Sequence, residues 1–165
     1  LVTAHRRESH GEPMERICGA VLRLVERFED LRVRFPVHLS PRVRSTVFAH
    51  LGGHPRVGLE EPLGYADFVR AMSAATIILS DSGGVQEEAP SLGKPVLVMR
   101  NTTERPEGVD AGNARLVGTD IDAIVGSLHE LLENKAAYNK MANVKNPYGD
   151  GTSAKQIIDL IAATH

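Results

Sequence analysis

The segment Ser80-Asp81-Ser82-Gly83-Gly84 joins an apolar run to a stretch with helical patterning, and its residue types suit an anion. Two adjacent glycines let a phosphate approach the backbone, because no Cβ stands in the way. The free N–H groups of a helix's first turn then point at the anion, and the helix dipole adds roughly 0.3–1 kcal/mol, about 2 in a partly dry site. Ser82 supplies a hydroxyl donor. The same residues also describe a plain helix start, with Asp81 or Ser82 as cap and the glycines only turning the chain. The segment is neither a Walker nor a GxGxxG pattern.

Glu87-Glu88 follows in the same expected helix. One reading is a pair of acids favoured by the helix dipole. The other is that a carboxylate accepts hydrogen bonds from a ribose diol one turn beyond a bound phosphate, a spacing that matches a nucleotide. His5-Arg6-Arg7-Glu8 gathers cations after the first apolar run. They are either solvated or opposed to diphosphate oxygens, each well-aligned contact being worth about 1.5–3 kcal/mol. Arg105, in Thr102-Thr103-Glu104-Arg105-Pro106-Glu107, is a further cation that alone reads as a loop salt bridge. The histidines show no metal-ligand spacing and one cysteine cannot build a thiolate site, so no metal site is expected. No G-x-S-x-G nucleophile elbow is present. Cys18 falls on the expected buried face of a helix, where packing is its role.

These groups need elements to position them. Short apolar runs read as strands at Leu1–Ala4, Leu31–His38, Val57–Leu59, Thr76–Ser80, Pro95–Met99 and Ala114–Val117. Helical spacing predicts helices at Met14–Phe28, from Ser40-Pro41 to about Leu51, and at Tyr65–Ala74, Gly84–Ser91, Asp122–Glu133, Lys135–Ala142 and Thr152–Ala163. Arg100–Gly112 reads as an irregular charged loop and Asn146–Gly151 as a turn. Strands without polar alternation, each followed by a helix, predict an α/β domain with a parallel sheet covered on both faces. Such sheets bind ligands at the carboxyl ends of their strands. That rule selects His5–Gly11, Asp81–Glu88 and Arg100–Pro106.

The chain has 165 residues, 42% hydrophobic and 24% charged, with a net charge of −2. This describes one ordinary globular domain, residues 1–165, with no global field that draws it to nucleic acid and no apolar run that spans a membrane. The single cysteine fits a reducing compartment, so a cytoplasmic location is expected. The chain opens inside a strand, without a leader, and is therefore read as a piece of a longer polypeptide.

Taken together the segments resemble the non-hydrolysing UDP-N-acetylglucosamine 2-epimerases. The matching stretches are Thr3–Ser9 (TAHRRES), Phe35–Pro41 (FPVHLSP), Glu61–Met72 (EPLGYADFVRAM), Ser80–Glu107, Leu116–Asp120 (LVGTD) and Asn146–Gly151 (NPYGDG). The resemblance implies a Rossmann-like three-layer sandwich, the second domain of a GT-B fold, whose catalytic N-terminal partner domain is missing here. It implies interconversion of UDP-GlcNAc and UDP-ManNAc by elimination of UDP and its re-addition, without a cofactor or metal, in a homodimer when full-length.

Residue by residue, the resemblance gives His5 a place beside the diphosphate and in catalysis. Ser82, Gly83 and Gly84 would hold phosphate, Glu88 the ribose diol, Phe68 the uracil, and Arg105 would reach the ligand from its loop. Arg6 and His38 match an allosteric site for a second UDP-GlcNAc, and His38 also reads as a satisfied strand-end histidine. Leu63 departs from the glutamine common in the family. The closing helix over 152–163 would cross to the missing domain, and the chain alone would bind UDP only weakly and be inactive or nearly so. The rivals are the donor domain of a GT-B glycosyltransferase, a hydrolysing epimerase, and a stand-alone nucleotide-sugar-binding module.

Overall fold

The computed structural model describes residues 1–164. Along them strands and helices alternate: β1 (Val2–Thr3), α1 (Glu12–Arg27), β2 (Val33–Pro36), α2 (Pro41–Leu51), β3 (Val57–Glu60), α3 (Tyr65–Ala74) and β4 (Ile78–Ser80). There follow α4 (Gly83–Glu88), β5 (Val96–Val98), α5 (Pro106–Ala111), β6 (Ala114–Leu116), α6 (Ile121–Glu133), α7 (Lys135–Ala142) and α8 (Ser153–Ala163).

β4 and β5 are buried on both faces, which is why Thr76–Ser80 and Pro95–Met99 read as apolar without alternation. Successive side chains still point opposite ways. Leu79 and Leu97 enter a core shared with Ile17, Val21 and Leu24 of α1, Val47 of α2 and Ile124 of α6. Ile78, Val96 and Val98 enter a second core with Met72 of α3 and Val85 of α4. Two helical layers thus enclose a central layer of strands, the expected three-layer Rossmann-like sandwich. Cys18 of α1 is buried, and burial, then the Glu15 charge, push its thiol up to about 12, so it stays protonated and inert.

Every ladder is parallel: β1 with β4, β4 with β5, β5 with β6, and β2 with β3. β2 runs beside β1 without a ladder between them. The spatial order is therefore β3-β2-β1-β4-β5-β6, and the direction of winding reverses between β1 and β4. Helices leave the two strands toward opposite faces there, which opens a crevice at their carboxyl ends. His5 follows β1 and Asp81 follows β4, so both lie at that reversal.

Three local readings need correction. The span Arg100–Gly112 is not irregular throughout, since it contains α5. Pro106 opens that helix at its first position, and Gly112 closes it in a left-handed conformation (φ 93°) that a side chain would resist. The helix expected over Gly84–Ser91 ends at Glu88 and tightens into a 3-10 turn at Ala89–Leu92, where Pro90 has no N–H to continue it. The strand expected over Leu31–His38 pairs only at Val33–Pro36, although Val37 N still donates to Glu60 O at 2.8 Å. α8 buries none of its residues and leaves Ile157, Ile158, Leu160 and Ile161 exposed. No helix is long and apolar enough to cross a membrane among the described residues.

Candidate functional site

Asp81 organises the reversal point. Its carboxylate is fully buried, which is costly unless every oxygen is hydrogen-bonded. It accepts from the amides of His5 and Arg6, both at 2.9 Å, and from Ser9 Oγ at 2.8 Å. His5 Nδ1 lies 3.2 Å from its other oxygen, which leaves Nε2 as the uncommitted ring nitrogen. Asp81 is therefore not a helix cap, and Ser82, which occupies the cap position of α4, makes no side-chain capping bond either. The plain-cap reading of this junction fails. The β4 carboxylate ties down the loop after β1.

A second polar residue ties in the third loop. Gln86 is buried in α4, where its Nε2 donates to Ser82 O at 3.1 Å and its Oε1 accepts from Thr103 Oγ1 at 2.8 Å. Thr103 Oγ1 in turn accepts from the Arg105 amide at 3.0 Å. The three strand-end loops selected from the sequence are thus cross-braced.

Two of the cations they carry, Arg6 and Arg105, converge on Gly83. A Cβ there would lie 3.5 Å from Arg6 Nη2, 3.7 Å from Glu104 Oε1 and 4.0 Å from Arg105 Cζ. A Cβ on Gly84 would meet only Ser82 Oγ, at 4.0 Å. Those are ordinary contacts, and neither glycine has a left-handed φ. The fold itself does not demand glycine at either position, although glycine weakens a helix. What the two glycines preserve is open space in front of α4.

Arg6, Arg100 and Arg105 each have a carboxylate partner. Arg6 Nε donates to Asp81 O at 3.0 Å and its Nη2 bonds Glu104. Arg100, nearly buried, is held between Glu8 and Glu104. Arg105 pairs with Glu87 across the gap between α5 and α4. Hydrogen bonds from Arg100, from the Glu104 amide and from Arg6 hold the Glu104 carboxyl at about 2. Because that value is below its ordinary 4.5, Glu104 favours the folded state above about pH 4.5, and the contribution is lost as pH falls toward 2. Glu104→Gln is expected to flatten the acid limb of a stability-versus-pH curve between those values. An unchanged acid limb would show that Glu104 does not hold the two arginines in solution.

The remaining expected residues distribute around this centre. The His38 ring stacks on His5, with centroids 5.8 Å apart, and His38 Nδ1 accepts from the Ser40 amide at 3.1 Å. Both histidines are exposed at the mouth of the crevice. Arg6 lies at Gly83 rather than apart from it. Glu88 is half-buried at the end of α4, and its carboxylate raises the pKa of the exposed Tyr65 hydroxyl. Phe68 packs in part on the core beneath α4, against the cluster that holds Val85 and Ala89. Leu63 is half-buried on the segment entering α3.

The family model for UDP-N-acetylglucosamine 2-epimerase matches residues 1–162. The chain belongs to that family. Among epimerase relatives, it is 54% identical over 163 residues to the probable UDP-N-acetylglucosamine 2-epimerase of Ralstonia nicotianae, covering 99% of this chain and 44% of that protein. It is 53% identical over 159 residues to the UDP-N-acetylglucosamine 2-epimerase of Bacillus subtilis, covering 96% and 42%. The crystal structure of the UDP-GlcNAc 2-epimerase from Neisseria meningitidis bound to UDP-GlcNAc superposes with a TM-score of 0.94 at 48% identity, covering 99% of this chain and 44% of that one. The epimerase-family chain thus spans less than half the length of these relatives.

Sequence reasoning passed over Gln86, Arg100 and Glu104. Gln86 carried a readable signal, because it lies one helical turn after Ser82 in a stretch whose neighbours Val85 and Ala89 are core residues. Arg100 directly follows the apolar run Pro95–Met99, where an unpaired charge is costly.

Proposed function

We propose that this chain is the UDP-holding half of a non-hydrolysing UDP-N-acetylglucosamine 2-epimerase that interconverts UDP-GlcNAc and UDP-ManNAc in the cytoplasm. The observation that carries the reading is the convergence of Arg6 and Arg105 on the open face of Gly83, at the point where the sheet reverses. The family membership and the relative described as bound to UDP-GlcNAc support the ligand.

In this reading the diphosphate enters over Ser82, Gly83 and Gly84 and takes the guanidinium groups of Arg6 and Arg105 from Glu104 and Glu87. Glu88 accepts from the ribose diol, and Phe68 lies beside the uracil. His5, with Nδ1 turned to Asp81, presents Nε2 at the diphosphate. His38 stacks on His5 and, together with Arg6, reaches a second, activating UDP-GlcNAc. The reaction eliminates UDP and adds it back with inversion at C2. Preorganised donors and cations stabilise the departing diphosphate and keep it for return. Removal and return of the C2 proton need positioned acid–base groups, which this reading places in the missing N-terminal domain. The exposed apolar face of α8 packs on that domain, and the full-length enzyme is a homodimer.

The test has two arms. Calorimetric titration of the chain with UDP should show binding that weakens about fivefold to tenfold in Ser82→Ala and about tenfold or more in Glu88→Ala. The purified chain should not epimerise UDP-GlcNAc, whereas the full-length protein should form UDP-ManNAc without an acceptor. No UDP binding, epimerisation by the chain alone, or release of free sugar by the full-length protein would each contradict the corresponding part.

A further inference from the structure

The turn Asn146–Gly151 contributes nothing to the site as described so far, yet its side chains reach two of the three loops. Tyr148 Oη accepts from the Gly108 amide at 2.8 Å and donates to the Arg105 carbonyl at 3.1 Å. The Gly108 amide belongs to the first turn of α5, whose N–H groups have no partner within the helix. One hydroxyl therefore closes the helix start and holds the backbone of Arg105. Gly108 is glycine for a visible reason, since a Cβ there would come within 2.8 Å of that hydroxyl. A helix-weakening residue inside a six-residue helix makes room for the tyrosine.

The neighbouring asparagine reaches the other way. Asn146 Nδ2 donates to Glu87 O at 3.1 Å and to Ser91 Oγ at 2.6 Å, while its Oδ1 accepts from the Tyr148 amide at 2.9 Å. The turn thus holds the end of α4 with Asn146 and the start of α5 with Tyr148. The side-chain pair Arg105–Glu87 spans the same gap from above, each partner more than a third exposed. A cation that must exchange a carboxylate for a ligand needs a fixed backbone beneath it.

We infer that Asn146 and Tyr148 form a clasp that sets Arg105 at its distance from α4, which makes Tyr148 a positioning residue for the diphosphate. The inference rests on the proposed UDP site. Tyr148 touches the Arg105 backbone and acts through it. Removing the hydroxyl frees the Gly108 amide and the Arg105 carbonyl, so the guanidinium samples positions away from Gly83. Binding of the diphosphate suffers, and binding of a nucleoside that carries no phosphate does not.

The experiment is calorimetric titration of the chain and its Tyr148→Phe variant with UDP and with uridine. Tyr148→Phe is expected to weaken UDP about fivefold to tenfold and to leave uridine unchanged within about twofold. In an Arg105→Ala background the same substitution should cause no further loss of UDP affinity, because its effect passes through Arg105. Gly108→Ala, which displaces the ring from the other side, should reproduce the loss for UDP. Equal weakening of UDP and uridine, additive effects with Arg105→Ala, or parent-like UDP binding by Tyr148→Phe would each overturn the clasp. UDP binding by the unmodified chain separates these outcomes from failure of the site itself, which would remove the clasp with it.

Discussion

Asp81→Ala is expected to lower the melting temperature by roughly 6–12 °C and to abolish measurable UDP binding. The carboxylate is buried and receives the amides of His5 and Arg6 and the Ser9 hydroxyl. Alanine leaves all three without an acceptor. Unsatisfied donors cost about 1–3 kcal/mol each, and water recovers part of that near the surface, so a net loss of about 3 kcal/mol is expected. At about 2–4 °C per kcal/mol for a chain of this size, the melting shift follows. The loop His5–Ser9 then loses its place, and Arg6 with it.

Asp81→Asn separates structure from chemistry. Its oxygen can stay where Oδ2 meets the two amides and Ser9, so most of the stability should remain. Its amide nitrogen then faces His5 Nδ1 as a donor, which favours the opposite tautomer and places the proton on Nε2. Full-length protein carrying Asp81→Asn should accordingly fold like the parent and epimerise poorly. Thermal unfolding and a turnover assay check the pair. An Asp81→Ala chain that melts like the parent would show that the β1 loop is held by something else.

Gly84→Ala should move stability and binding in opposite directions. Its Cβ would meet only Ser82 Oγ, at 4.0 Å, so the fold accepts it. Replacing a helical glycine by alanine stabilises by up to about 1 kcal/mol, less so in a first turn. The methyl group nevertheless stands in the space where the proposed phosphate meets the first-turn amides, and a loss of roughly 2 kcal/mol or more, about thirtyfold in affinity, is expected. Differential scanning calorimetry and UDP titration on one preparation measure both. Loss of both together would mean that Gly84 serves the fold, and loss of neither would place the anion elsewhere.

The architecture was legible because its cause is local. Thr76–Ser80 and Pro95–Met99 are apolar on both faces, a pattern only a doubly covered parallel strand requires. Strand-end logic then selected the loops after β1, β4 and β5, and the structure brings all three together. The bracing between them was not legible, because it is non-local. Asp81 is separated by more than seventy residues from the His5 and Arg6 amides it accepts from, and a lone aspartate before Ser-Gly-Gly reads as a cap. Arg100 and Glu104 looked like loop charges until their partners Glu8 and Arg6 arrived from β1. Tyr148 was read as part of a turn, and its contacts with Arg105 and Gly108 arise only in three dimensions. α5 was the avoidable miss, with Pro106 and Gly112 marking both of its ends.

The most direct test of the central claim is a ¹H–¹⁵N NMR titration of the chain with UDP. The expected result is that the largest shifts fall on the amides of Ser82, Gly83, Gly84 and Val85, on His5 and Arg6, and on Arg105. Residues at the other end of the sheet, such as Leu24, Ala75 and Leu128, which line an apolar pocket of about 250 Å³, should stay unmoved. Shifts confined to that apolar pocket, or no shifts at millimolar UDP, would contradict the account.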